Sequence, residues 1–310
     1  MLETAVFVAG SFALLAAPLV PALRELRRPT DETPLMVYHG NAADAKEAVR
    51  LAVAAYQAAQ AAGESADDMV ARQLGQDAVE VLAAGWLPHR LDRQKRHALC
   101  VGSCDIEDAF HESISVWAPR INVEGTGAFA GKLAGDFIHL AHRATVRTAQ
   151  APLIQTGGGA PSWAFATQTL SLATPEGAAW LDMQQRFQAG ERFVVKKNTR
   201  AMGLIIGSGD GIVEDGALVA GDIKAHGRLV LGDGVLVTGN IVADHIVVGK
   251  NCIIDGSLLA KESIALGQGV RIGSASSPAT VAATDIALGK NISIHGALVA
   301  HRQAQVNHDL

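Results

Sequence analysis

Histidine and cysteine side chains are the first candidates for chemistry in this sequence, because imidazoles and thiolates bind metals and act as bases or nucleophiles. His97, Cys100, Cys104 and His111 lie close together in the chain, at separations of three, four and seven residues. A Cys-x3-Cys pair followed by a single histidine does not repeat a known zinc motif. We therefore interpret the two cysteines as interior or edge thiols and predict no metal site.

The other polar residues form no catalytic constellation. His226, His245 and His295 fall at predicted corners or outward positions, and none has a Ser, Cys or Asp partner that the sequence places beside it. The glycines at 157–159 lack the Lys-Ser/Thr pair that a phosphate-binding loop needs. Carboxylates recur at no spacing that would bring two of them to one face. The sequence predicts neither enzyme activity nor a cofactor.

Apolar residues recur every six positions between residues 203 and 302. The structure formed by this repeat must position any functional residues of the chain. Three repeats make a coil of about 17–18 residues, so that every third member stacks in a column. We expect such a chain to fold as a parallel β-helix in a mainly β protein. In one column of this β-helix, the vertical neighbours should be Leu231, Val248, Leu266 and Leu288. The repeat runs through Val213, Val219, Ala225, Leu231, Val237 and Ala243, then Val248, Ile254, Ala260, Leu266 and Ile272, and finally Leu288, Ile294 and Ala300.

The chain divides by composition into several parts. We expect a membrane anchor at 1–28, a linker and helical hairpin at 29–97, irregular first β-coils at 98–150, a loop and helix insertion at 151–191, the main β-helix at 192–302 and a polar tail at 303–310. In the hairpin, the first helix should run from Asn41 to a stop at Gly63, and the second from Ser65 to a stop at Gly85. Pro175 predicts a helix start in the insertion.

The first part carries a candidate membrane helix. Residues 4–23 contain no charged side chain, and a run of about 20 apolar residues can cross a bilayer. Because Arg24, Arg27 and Arg28 follow the run, most of the chain should lie on the cytoplasmic side of the inner membrane. A cleaved signal peptide, which would place the protein on the envelope side, and a soluble helix are the alternatives. The anchor residues include Val6, Phe7, Phe12, Leu14, Leu15 and Leu19.

A short basic run follows the hairpin. Arg90, Arg93, Lys95 and Arg96 stand against one acidic residue, Asp92. Such a run can bind an anionic membrane surface, and the alternative is ordinary solvated surface.

Composition narrows the class of partner and compartment. The net charge is −5 and no basic domain stands out, so we expect no nucleic-acid partner. The three cysteines are an odd number and unevenly spaced, which argues against a disulfide framework and fits a reducing compartment.

Two β-helix families share part of the repeat. Val248-Gly249, Ile254-Asp255, Leu266-Gly267 and Ile272-Gly273 resemble the repeats of left-handed β-helix acyltransferases. That resemblance implies a histidine base beside a protruding loop, in a cleft between subunits. The evident loop, Ser274–Asp285, contains no histidine. An acyltransferase is therefore the alternative interpretation.

The repeat is more similar to the bactofilins, the bacterial polymer-forming cytoskeletal proteins. The segments Gly239–Ala243, Gly256–Ala260 and Gly296–Ala300 alternate with Ile-x-x-Gly-Lys-Asn or Gly-Asp-Gly turns, and the resemblance spans residues 203–302. It implies a compact β-helix that assembles end to end into nucleotide-free filaments near the inner membrane, as a platform for cell-wall or polysaccharide-synthesis proteins. The long amino-terminal region departs from that family.

The last coil is the predicted site of self-association. A terminal coil exposes unpaired backbone groups and an apolar cross-section, which must be capped or matched by another chain. The tail at 303–310 is short and polar, so we expect the coil to be bare and its Ile292, Ile294, Leu298 and Ala300 to contact a second copy. The sequence thus predicts a membrane-associated, non-enzymatic scaffold whose partners are itself, the inner membrane and cell-wall or polysaccharide-synthesis proteins.

Overall fold

Most of the described chain winds into a parallel β-solenoid of about 11 turns, accompanied by two small helices, in a computed structural model. The structure describes residues 42–63, 65–83, 85–86, 97–107, 114–124, 128–158, 170–307 and 309. All of these belong to one compact unit, Val37–Leu310. The predicted mainly β, parallel solenoid is confirmed.

The strands fall into two blocks that are consecutive in the chain. The first block, residues 79–156, contains β1 (Val79–Leu82), β2 (Gly85–Trp86), β3 (His97–Cys100), β4 (Ser103–Ile106), β5 (Ser115–Val123), β6 (Ala128–Leu140) and β7 (Thr145–Thr156). The second block, residues 170–306, contains β8 (Ser171–Leu172), β9 (Glu176–Leu181), β10 (Arg186–Val195), β11 (Thr199–Met202), β12 (Leu204–Gly207), β13 (Asp210–Val213), β14 (Leu218–Ala220), β15 (Ile223–Ala225), β16 (Arg228–Leu231), β17 (Leu236–Val237), β18 (Ile241–Val248), β19 (Ile253–Ile254), β20 (Leu258–Leu266), β21 (Arg271–Ile272), β22 (Ala279–Leu288) and β23 (Ser293–Val306).

The apolar column of the second block has the predicted register. Leu231 pairs with Val248, Val248 with Leu266, and Leu266 with Leu288. All of these side chains are buried. The column continues upward to Val213 and downward to Val306, so each coil buries its apolar residues against the coils above and below.

Polar side chains at the corners tie each coil to the next. The Asp222 carboxylate accepts a hydrogen bond from the backbone N–H of Asn240 at 2.6 Å. The Asn240 side-chain oxygen accepts from the N–H of Ser257, and the Ser257 hydroxyl accepts from the N–H of Thr280, both at 2.9 Å. These acceptors satisfy backbone donors where the chain turns away from the strand ladder, because a buried N–H without a partner is costly.

The first block forms coils of the same kind, as expected for residues 98–150, and begins earlier, at Val79. Val116 pairs with Leu133 and Ile138 with Ile154, and all four are buried. The register between β6 and β7 shifts beyond Phe129, and comparable shifts occur in the second block between β18 and β20 and between β20 and β22.

The two helices are α1 (Ala42–Ala62) and α2 (Ala66–Leu74). The first helix has its predicted length, but the second ends at Gly75, which takes a left-handed conformation with φ 63°, and not at Gly85. Residues that continue the helical spacing, such as Val81, belong to β1 because they pair with β3. Val49 and Ala52 of α1 pack in one buried cluster with Trp117 of the first block.

The prediction of a helix starting at Pro175 is wrong. Residues 176–181 form β9, which pairs with β10 in the antiparallel sense, with Trp180 opposite Phe187. A single turn of 3-10 helix, Asp182–Gln184, follows it. The predicted insertion at 151–191 is also shorter than expected, since its ends belong to β7 and β10. Pairing with the otherwise open edge of β10 outweighs the local helix signal.

The last coil is not bare. Strand β23 pairs with β22 on one side and with β7 of the first block on the other, in the antiparallel sense from Ser293 opposite Gln155 to Gln305 opposite Thr145. The predicted polar tail is likewise partly coil, because Val306 lies in β23 and is 1 % exposed. The two blocks therefore meet at their carboxyl ends, and we call the contact between β7 and β23 the junction.

The predicted anchor at residues 4–23 and the basic run at 90–96 lie outside the described residues and stay predictions. In the ranges that the structure describes, neither helix combines the length and the apolarity needed to cross a bilayer.

Candidate assembly surfaces

The four predicted self-assembly residues lie inside the junction. Ile292, Ile294, Leu298 and Ala300 are 0 %, 1 %, 0 % and 3 % exposed. Ile294 lies opposite Ile154, and Leu298 opposite Ala149, across the β7–β23 ladder. The structure therefore places these residues in one coil, but that coil is covered by the same chain and is not open to a second copy.

Buried polar contacts fix the register of the junction. The Thr156 hydroxyl donates to the carbonyl oxygen of Gly289 at 2.7 Å and accepts from the N–H of Ile292 at 3.0 Å. Thr156 is 1 % exposed, so these hydrogen bonds form away from water. The sequence analysis missed Thr156, which follows an apolar stretch without any motif of its own.

His295 adds a titratable group to the junction. Its Nδ1 donates to the carbonyl oxygen of Pro152 at 2.9 Å. Burial lowers the pKa of His295 below its ordinary value, and the positive charge of Arg271 lowers it further, although the hydrogen bond to Pro152 acts in the opposite direction. The lowered pKa favours the neutral imidazole, which donates from Nδ1 across the two blocks.

The opposite end of the second block carries exposed apolar side chains. Leu172 is 72 % exposed, Met183 100 %, Met202 46 % and Trp180 37 %. Trp180 packs edge-on against Phe187, with ring centroids 4.8 Å apart. We call this set of residues, together with β9, the free end. Leu172 and Met202 join this set because β8 stacks on β11, a pairing that the sequence analysis did not predict.

A shallow cavity of about 440 Å³ lies within the free end. It is lined by Leu172, Ala173, Thr174, Trp180, Phe187 and Met202, none of which is charged. Strand β9 borders it and pairs with β10 alone among the described strands. An apolar surface beside a strand edge without a described partner suits pairing with another strand better than catalysis.

The three cysteines all lie in the described residues, where they form part of the packed interior. Cys100, Cys104 and Cys252 are free and buried. A hydrogen bond with Cys100, followed by burial, raises the pKa of the Cys104 thiol, and burial raises that of Cys252 to about 12. Thiols held protonated are poor ligands and nucleophiles. The described residues contain no cluster of three or more metal-binding side chains, and His111 lies outside them.

One of the corner histidines, His245, has a partner that the sequence analysis did not predict. His245 Nδ1 lies 2.9 Å from the hydroxyl of Ser263 on the next coil, and both side chains belong to the outer wall. Within the described chain, no carboxylate is hydrogen-bonded to His245 that would orient it as a base. His226 is exposed at its corner, as expected.

Comparison with known proteins finds no relative for the chain, since no family model, no curated protein and no solved structure matches it. The resemblances to bactofilins and to β-helix acyltransferases stay predictions.

Proposed function

We propose that the protein is a non-enzymatic structural scaffold that self-associates through the free end of its second block. The observation that carries the proposal is the junction, where the terminal coils of two solenoid blocks join edge to edge in the antiparallel sense. Within this chain, the ends of two solenoid blocks therefore already pair edge to edge. Such pairing requires a strand edge and an apolar surface, and the free end offers both.

A second copy is the occupant that best fits the free end. Two copies of β9 can pair in the antiparallel sense about a two-fold axis, because each then presents the same edge to the other. The contact would cover Leu172, Met183 and Met202 of both copies, which are now among the most exposed large apolar side chains of the described residues. Removing such surface from water favours association in proportion to the apolar area buried.

The proposed location of the scaffold rests on the predicted anchor in the sequence. Residues 4–23 would anchor the chain in the inner membrane, with the solenoid on the cytoplasmic side. Pairs formed at the free end would then present solenoid walls along the membrane as a platform for cell-wall or polysaccharide-synthesis proteins, in the manner of bactofilins. An acyltransferase activity has no specific observation in its favour among the described residues.

Sedimentation of the purified full chain in detergent tests the proposal. We expect the wild type to form a dimer whose population rises with concentration, and negative-stain images to show elongated particles. The double variant Leu172→Glu/Met183→Glu places carboxylates on the free end and should sediment as a monomer. A matched control, Gln268→Glu/Ser276→Glu, adds the same charge at exposed positions of other coils and should behave as wild type.

Two outcomes would overturn the proposal. One is a wild-type chain that is monomeric across the whole concentration range. The other is a discrete trimer that persists in the Leu172→Glu/Met183→Glu variant, which is the result expected of an acyltransferase.

A further inference from the structure

A positively charged cleft lies at the corner of the junction, and neither self-association nor the solenoid core accounts for it. We propose that this cleft binds a phosphate monoester group, through Lys132 and Arg147 of the first block and His301 of the second. The cavity is about 440 Å³ and is open to solvent on one side. The inference does not depend on the proposed function, because the cleft is distant in register from the free end.

The cleft exists because strand pairing is interrupted at the same corner on three neighbouring coils. The β6–β7 register shifts between Phe129 and Lys132, and the β7–β23 register shifts between Val299 and Ala304. At such irregularities a strand bends and its side chains are re-aimed. Lys132, Arg147 and His301 are all exposed at this corner, one from each strand.

One wall of the cleft is bare backbone. A side chain at Gly131 would collide with the carbonyl oxygen of Ile114, so the position admits only glycine without a shift of the coil. Thr148, half-buried on the floor, adds a hydroxyl to the lining. The requirement for glycine comes from the close packing of Gly131 against Ile114, which fixes the backbone on this side of the cleft.

The charge of the cleft is not neutralised by the protein. Its lining residues include no Asp or Glu, and within the described ranges neither Lys132 nor Arg147 forms an ion pair. Arg302, the next residue along β23, shows the contrasting case. Its Nε donates to Asp285 at 2.6 Å and a second nitrogen contacts the same carboxylate, so its charge is already paired.

The position of Arg147 is set by the other block. Its Nη2 donates to the carbonyl oxygen of His301 at 2.9 Å, which holds the guanidinium across the junction. A guanidinium carries five N–H donors in a planar fork, so most of them remain for a ligand. The site is therefore complete only when the two blocks are joined.

The donor set points to a phosphate rather than to a single carboxylate. A guanidinium fork matches two oxygens of a phosphate, and an ammonium group adds a compact positive charge that favours a dianion. The imidazole of His301 supplies a further nitrogen at the rim. A phosphate monoester has the three acceptor oxygens and the double charge that these groups can satisfy together. Free phosphate and the headgroup of phosphatidic acid share this chemistry.

Two binding measurements on the full chain in detergent or vesicles test the site. The first titrates inorganic phosphate at constant ionic strength, with ³¹P line broadening as the readout. The second measures recruitment to phosphatidylcholine vesicles with and without phosphatidic acid. We expect saturable binding by the wild type, and a loss of about tenfold or more in Lys132→Gln/Arg147→Gln, because two charge-assisted contacts are removed.

Lys132→Gln alone separates binding from folding. The Lys132 side chain makes no hydrogen bond to another described residue, so its replacement should leave the thermal midpoint unchanged while still weakening binding several-fold. Lys250→Gln removes the same charge on a distant coil and should bind as wild type. All variants keep the predicted anchor, so differences among them report the cleft.

The pattern of responses identifies the source of the phosphate. A loss confined to the first measurement assigns the cleft to a soluble phosphate monoester, and a loss confined to the second assigns it to the lipid headgroup. Absence of saturable binding in both, or an equal loss in Lys250→Gln, would overturn the proposal.

Discussion

Ile294 of the last coil lies directly opposite Ile154 of the strand that closes the first block, and each side chain is 1 % exposed. Two solenoid blocks of one chain thus meet at their carboxyl ends. The sequence suggested that the apolar cross-section of the last coil would recruit another copy. Strand β7 of the same chain covers this cross-section instead. The physical requirement for a partner at a solenoid end is met by an intramolecular one.

Placing a charge in the junction should destabilise the folded chain. In Ile294→Asp, a carboxylate without a partner would be buried against Ile154, and we expect the free energy of unfolding to fall by about 3–5 kcal/mol. Urea denaturation followed by far-UV circular dichroism measures the change. Ser276→Asp, in an exposed loop, is the control and should alter stability little. An Ile294→Asp variant as stable as wild type would contradict the observed pairing.

The corner acceptors should contribute to stability through hydrogen bonds rather than charge. Asp222→Ala leaves the N–H of Asn240 without its acceptor, and we expect a loss of about 1–3 kcal/mol. Asp222→Asn keeps an oxygen at the same place and should recover most of this loss. Thermal unfolding of the two variants in parallel distinguishes the mechanisms, since equal destabilisation would indicate that the negative charge is what matters.

The periodic part of the fold was predictable, because register in a solenoid follows from the spacing of apolar residues. The vertical neighbours Leu231 and Val248 needed only a count of 17 residues along the sequence. Gly211, two residues before Val213, is also a buried inward position. The reason for glycine there, a Cβ that would press on the ring of Phe193 and approach Leu229 to 2.7 Å, depends on side-chain packing that the spacing does not specify.

The junction and the cleft could not be read from the sequence for a different reason. The pairing of Gln305 with Thr145 joins strands that are far apart in the chain, and no local pattern specifies which two free edges will meet. Lys132, Arg147 and His301 come from three strands, so their proximity follows only from that pairing. The error at Pro175 has another cause, because β9 and β10 are neighbours in the chain and their pairing overrides the local helix signal.

The junction should weaken on acidification. Because burial places the pKa of His295 below its unfolded value of about 6.5, the unfolded chain takes up a proton at higher pH than the folded chain does. Stability contributed by the neutral form is therefore present above about pH 6.5 and is lost as the pH falls through this range. His97, whose pKa is lowered by burial, acts in the same direction in the first block.

Substitution of His295 tests this dependence. Gln retains a side-chain donor for the carbonyl oxygen of Pro152 but does not titrate. We expect His295→Gln to lose less stability than wild type between about pH 7 and pH 5.5, with the remaining loss due in part to His97. Urea midpoints at several pH values provide the measurement. Parallel pH profiles for the two proteins would show that His295 does not titrate during unfolding.

Removing the first block should restore the self-association that the sequence predicted for the last coil. A fragment of residues 170–310 lacks β7, so one edge of β23 and the side chains of Ile292, Ile294 and Leu298 lose their cover. Since β23 accepts an antiparallel partner in the intact chain, two fragments can pair through the same edge about a two-fold axis. Analytical ultracentrifugation should therefore detect a dimer of the fragment whose population rises with concentration.

The free end is present in both proteins, so Leu172→Glu/Met183→Glu is included throughout to remove its contribution. In that background the fragment should dimerise and the full chain should not, whereas adding Ile294→Asp to the fragment should leave it monomeric. A folded fragment, judged by its β-type circular dichroism, that stays monomeric without Ile294→Asp would show that the junction depends on features of β7 that a second β23 cannot supply.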